Sequence, residues 1–280
     1  MSRQQPESEK MFEVRKQLTE DLQYLKSSYG IRPEMRRRTK TDEADITHIE
    51  KLNLLEAAEA LRTVRRELAK YPQEYLQFCA LERLRLVKTL QTQEKDLQGE
   101  ALHTGRAYHE DRILYLATSG EGLYSLKGTL HHELFHLSDS AQIQRNIQMN
   151  IYHFSTRRSA HLIYQRMYDH EWEKLNPQEK KAYVGQAYFT HPLKENEKDL
   201  EGFALPSGTI DPWEDRATIA GVLLTDPKAT FEKAQRDTVF CAKLERIMAF
   251  YKERSRGKMD ESYFSDLAAG KVIEGYWKKM

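Results

Sequence analysis

The chain of 280 residues has very little cysteine, almost no net charge and no long hydrophobic run. Its 2 cysteines, Cys79 and Cys241, each lie in an apolar helical context and read as buried thiols. No disulfide framework can be argued from them, and a reducing compartment fits. A formal net charge of +1 provides no overall field that would recruit nucleic acid or an anionic membrane as partner. Arg36-Arg37-Arg38 is the one compact basic run and reads as a solvated loop. Nothing approaches the roughly eighteen consecutive apolar residues of a membrane span, and Met1 to Lys10 lacks the apolar stretch of a secretory leader. Cytoplasm is the default expectation, and a protein exported by a signal-independent route would read the same. Neither G-x-x-x-x-G-K-[ST] nor G-x-G-x-x-G occurs, so phosphate cradling has no support.

Charged residues make up 31% and hydrophobic ones 39%, a balance that suits a soluble, helix-rich protein with a substantial core. Met11, Val14, Leu18, Leu22 and Leu25 form a helical stripe closed by Gly30 and Pro33. A polar stretch over residues 32–48 reads as a linker, and a second helix is predicted from Ile49 to Lys70. Pro72 opens a short helix through Phe78. The period then changes: Arg83–Leu90 and Arg112–Leu116 predict strands, with a short one near Tyr108, making a small, mixed or antiparallel sheet. Helices are predicted again at 155–174, from Asp211-Pro212 to before Asp226, and from Phe231 to Arg254, with residues 176–211 irregular. The expectation is an α+β protein, mostly helical, with an N-terminal helical region at 1–70 and a second domain at 71–280. No internal repeat is visible.

Directly after the predicted sheet comes Thr129-Leu-His-His-Glu-Leu-Phe-His-Leu-Ser-Asp139, which contains the H-E-x-x-H match His132-Glu133-Leu134-Phe135-His136. No proline or glycine interrupts from Thr129 through Ile151, and Leu130, Leu134, Leu137 and Ala141 recur at helical spacing. On that helix His132 and His136 share one face a turn apart and can hold one metal ion. Glu133 is offset by about 100°, where a general base for a metal-activated water belongs. His131 is one residue off that face and reads as structural or substrate-facing.

A catalytic zinc site takes three protein ligands. The metzincin continuation requires glycine at 139 and histidine at 142, whereas the chain has Asp139 and Gln142. The third ligand must therefore come from another element. Glu214, in the first turn of a new helix, is the leading choice, balanced by its fit as a purely local capping residue. Asp215 and Asp139 are alternatives, and Asp139 suits a supporting role better.

These residues resemble the active-site helix of the gluzincin metallopeptidases, and most of all the bacterial zinc-binding metallopeptidases related to the anthrax lethal factor catalytic domain. The likeness continues through Trp172-Glu-Lys-Leu175-Asn176-Pro177, Gly202-Phe203, Ser207 and Glu214-Asp215-Arg216-Ala217. It covers about residues 70–260, within a zincin-like domain. It implies Zn²⁺ held by His132, His136 and Glu214, with Glu133 as catalytic base. It also implies a peptide or protein substrate, and endopeptidase action rather than exopeptidase. The chain departs from the family at Leu205-Pro206-Ser207-Gly208, where a tyrosine often precedes the ligand glutamate, and at Thr218, where relatives carry an acidic or similar polar residue. Ser207, His191, Tyr188 and Tyr183 are the candidates for the missing hydrogen-bond donor. A zinc-binding domain that acts only through protein interaction is the alternative function. A helical interaction protein with an accidental H-E-x-x-H is a third.

Overall fold

The computed structural model describes residues 7–34, 46–92, 102–103, 105–108, 112–119, 125–150, 157–177, 183–185 and 201–278. Helix predominates among them, beside two small sheets, so the fold is α+β and mostly helical as the periodicities predict. The first apolar stripe forms α1 (Glu7–Tyr29), burying Leu18 and Leu25. Gly30 ends it at φ 71°, a left-handed conformation that costs glycine no Cβ clash.

The stretch expected as a linker contributes strands at both ends. Strand β1 (Arg32–Glu34) and β2 (Ile46–Glu50) are ordered pairs of other strands, and residues 35–45 lie outside the described set. Helix α2 (Leu54–Leu68) consequently starts later than the periodicity suggests. Asn53 caps it in a reciprocal box, its side chain accepting from Leu55 and Glu56 amides while Glu56 accepts from the Asn53 amide. After α3 (Gln73–Cys79), the predicted strand at 83–90 divides into β3 (Arg83–Val87) and β4 (Thr89–Thr92), which belong to different sheets. Strands β5 (Leu102–His103), β6 (Gly105–Tyr108) and β7 (Ile113–Ala117) complete them.

The four-stranded sheet has the order β1-β3-β7-β6, parallel at β1-β3-β7 and antiparallel only at β6-β7. The smaller sheet, β2-β4-β5, is antiparallel. The sheet before the H-E-x-x-H helix is thus mixed. Its β3 and β7 run parallel because the chain passes through the second sheet between them instead of turning straight back. Strand β7 is buried on both faces: Leu114 and Leu116 enter the helical core, while Ile113, Tyr115 and Ala117 pack toward Ile46, Ile49 and Leu90 of the smaller sheet.

Helix α4 (Leu126–Asn150) follows, then α5 (Arg157–Glu173), a 3₁₀ turn at Pro206–Thr209, and α6 (Pro212–Thr225). The single helix predicted over 231–254 is two, α7 (Pro227–Ala234) and α8 (Thr238–Arg254). The break comes where Asp237 turns its carboxylate to the Phe240 amide at 2.8 Å and becomes the N-cap of α8. Helix α9 (Glu261–Ala268) ends the run. One hydrophobic cluster draws on α1 to α4, α6, α8, α9 and the sheet. Cys79 is buried in it, whereas Cys241 is only half-buried, short of the expectation. Among the described residues no helix is long and apolar enough to cross a membrane.

Candidate metal centre

Two elements meet to form the site. Helix α4 buries Leu130, Leu134 and Leu137 and turns His132 and His136 toward α6, their Nε2 atoms 3.0 Å apart. The helices approach at backbone distance here: a Cβ added at Gly221 of α6 would lie 3.5 Å from the Gly128 carbonyl oxygen and 3.5 Å from His132 Cβ. Helix α6 begins as its sequence predicts, with Asp211 as N-cap accepting from the Glu214 amide at 2.8 Å and Pro212 in the first turn. Capping occupies the Glu214 backbone and leaves its carboxylate to face the imidazoles. Oε2 lies 3.2 Å from His132 Nε2 and Oε1 3.4 Å from His136 Nε2.

The ligand atoms of His132, His136 and Glu214 all fall within 4.8 Å of one another. A tetrahedral ion bonded at about 2.0–2.1 Å holds its ligand atoms about 3.3–3.4 Å apart, by simple geometry from zinc's usual bond lengths. The two Nε2 atoms, 3.0 Å apart, lie near that spacing, and each faces a different oxygen of the Glu214 carboxylate, at 3.2 Å and 3.4 Å. Two imidazoles and one carboxylate form a donor set suited to catalytic zinc, with a fourth position left for water or substrate. The three residues therefore fit the ion.

Electrostatics agree with the geometry. Burial would raise the Glu214 carboxyl, but the adjacent His136 and His132 reverse this and hold it well below the usual carboxylate range. Burial would likewise lower His132, and the Glu214 carboxylate overcomes it and raises the imidazole. Glu133, half-buried beside His132, adds to that upward shift. The outer face of His136 stacks on Trp213, with ring centroids 5.1 Å apart and planes at 12°.

The other carboxylates near the motifs are committed elsewhere. Asp215 is fully buried, and its Oδ2 accepts from Lys243 Nζ at 2.7 Å, Tyr183 hydroxyl at 2.8 Å and Trp172 Nε1 at 2.9 Å. Asp139 is fully buried against Arg216, whose Nε donates to it at 2.9 Å. His131 faces the opposite side of α4, where it accepts from the Tyr71 hydroxyl at Nδ1 (2.7 Å) and meets Glu67 through Nε2 (3.1 Å). It is structural, the first of its two expected readings.

No family model matches this chain, and no curated protein matches it. Among solved structures it is similar to a crystal structure described as a "putative zinc-binding metallo-peptidase from Bacteroides caccae". The two are 14% identical over 96% of this chain and 94% of that one, with a TM-score of 0.49. A likeness that distant carries no conclusion about activity.

The sequence motifs around the site turn out to support it from behind. Gly202 donates its amide to Asp237 at 2.7 Å and accepts from Lys243 Nζ at 2.9 Å, and the same ammonium lies 4.0 Å from the centre of the Phe203 ring. Trp172, Gly202 and Phe203 thus converge on the Asp215–Lys243 pair next to Glu214. Sequence reasoning assigns no role to Lys243, Trp213 or Arg216. A signal existed for two of them: Lys243 interrupts the apolar stripe of α8, and Arg216 directly precedes the largely apolar run from Ala217 to Leu224 in α6. Of the candidate donors, Tyr183 is tied to Asp215 and Asn176, and burial pushes its hydroxyl well above the usual range. Ser207 lies in the 3₁₀ turn, while His191 and Tyr188 are outside the described residues. Thr218 Oγ donates to the Glu214 carbonyl at 2.6 Å, a bond internal to its own helix.

Proposed function

We propose that the protein is a zinc-dependent metallopeptidase of the gluzincin type, acting on protein or peptide chains internally. The observation that carries this reading is the cluster of His132, His136 and Glu214, whose ligand atoms gather within 4.8 Å of one another. A zinc ion held by these three residues would supply Lewis acidity, lowering the pKa of a bound water toward about 7 and polarising a peptide carbonyl. Glu133 accepts the proton given up by the attacking water and passes it to the departing amine. Trp213 holds the His136 ring in plane through its stack, and Asp211 holds the helix turn that presents Glu214.

An extended substrate needs a free strand edge. Strand β7 offers none, being paired by β3 on one side and β6 on the other. Among the described residues β6 ends the sheet, next to α4, and its outer side is the edge on which a peptide would add.

A zinc-binding domain without catalysis is the second reading, favoured by one observation: Tyr183 spends its hydroxyl on Asp215. Metal analysis and cleavage of a peptide library separate the two. Wild type is expected to bind one equivalent of zinc and to cleave. Glu133→Gln should keep the zinc and lose turnover by 10²-fold or more, on the order of a general-base contribution. Glu214→Ala should lose both. Full turnover in Glu133→Gln would sink the mechanism, and zinc without any cleavage by wild type would leave the second reading standing.

A further inference from the structure

Arg216 is almost completely buried, two residues after Glu214 on α6. Its guanidinium is shared between two other helices. Nε donates to Asp139 on α4 at 2.9 Å, and Nη2 donates to Asp169 on α5 at 2.9 Å. Asp139 stands one turn beyond His136 on the helix that carries both histidines. The guanidinium also lies 4.6 Å from the centre of the Tyr168 ring and 5.7 Å from that of Trp213, the ring stacked on His136. One side chain therefore joins the element bearing Glu214 to the element bearing His132 and His136, and touches the wall behind His136.

We propose that Arg216 is a positioning residue for the metal centre, setting the separation between Glu214 and the two histidines. This rests on the zinc reading above. A buried charge pair is weak evidence of added stability, since desolvation offsets its attraction. Its strength here is geometric: a planar guanidinium with fixed donor directions holds two carboxylates on two helices at one spacing. Lysine offers a point charge and cannot reproduce that fork. Supporting residues of this kind typically change metal affinity about 10–100-fold when replaced.

The test is zinc affinity by competition with a chelating dye, together with the visible spectrum of the Co²⁺-loaded protein, for wild type, Arg216→Lys and Asp139→Asn. Arg65→Met serves as control, because Arg65 also bridges buried Asp21, at 2.7 Å, but in α1 and away from the site. The expectation is zinc binding weakened about 10–100-fold in both site variants, with an altered Co²⁺ band, and wild-type values in the control. Wild-type affinity and spectrum in a folded Arg216→Lys or Asp139→Asn overturn the proposal, as does equal weakening in Arg65→Met. If those site variants do not fold, Asp169→Asn, which removes the more exposed of the two carboxylates, decides on the same readouts. Failure of the zinc reading looks different: wild type takes up no metal, or Glu214→Ala takes up as much as wild type.

Discussion

His131 and His132 are adjacent in sequence and chemically opposite. His132 is raised by a carboxylate at the site, whereas burial first of all pushes His131 down to about 4. His131 is therefore neutral, with Nε2–H donating to Glu67 and Nδ1 accepting from Tyr71. Glu67, buried but paired with His131 and Lys70, stays far below the usual carboxylate range. A depressed group stabilises the fold above its unfolded pKa and loses that contribution as pH falls toward its folded pKa. For His131 the loss begins near pH 6.5, while Glu67 keeps its contribution down to about pH 4.5. Between pH 7 and 5, metal-free wild type should thus lose about 2 kcal/mol more than His131→Gln. Urea unfolding of both at the two pH values measures it, and parallel losses would remove His131 as the cause.

At the scale of elements, the site depends on how closely α4 and α6 cross. The contacts of 3.5 Å that a Cβ at Gly221 would make are ordinary packing, so Gly221→Ala should leave zinc uptake near wild type. Gly221→Leu has no such room, and it should separate the helices and abolish stoichiometric zinc uptake in a chain that remains helical by circular dichroism. Gly202 is constrained differently. Its φ is 81°, and an added Cβ would come within 2.6 Å of Val239 Cγ1. Gly202→Ala should therefore cost about 1–3 kcal/mol in chemical denaturation, through backbone strain and the displaced α8 contact. An unchanged midpoint would show that the segment relaxes freely.

For the whole molecule, metal and fold are linked. An ion that binds the native state alone stabilises it by about 2.7 kcal/mol when free metal is 100 times Kd. Thermal melting with zinc should rise above melting in chelator for wild type and for Glu133→Gln, and should not rise for Glu214→Ala. A zinc-dependent rise of full size in Glu214→Ala would place the third ligand elsewhere. The shared core explains why binding should register globally: α4 and α6 contribute to the same hydrophobic cluster as α1, α2, α8 and α9.

Local patterns in the chain determined most of the helices, the H-E-x-x-H face and the start of α6, because each depends on residues three or four apart. Apolar spacing, Asp211 as cap and Pro212 in the first turn were enough to place Glu214 on a rigid turn. Pairings between distant residues were decided only by the tertiary structure. Nothing near Arg32 or Ile46 signals a partner strand some 50 residues away, so local sequence alone gives linker and helix start where β1 and β2 lie. Asp237 alone does not reveal that it ends one helix and begins another while holding Gly202. The same holds for the carboxylates. Glu214, Asp215 and Asp139 are chemically alike in sequence, and only the fold gives Asp215 to Lys243, Asp139 to Arg216 and Glu214 to the histidines. A buried carboxylate takes whichever cation or donor the packing brings to it, and that choice is made by helices far apart in the chain.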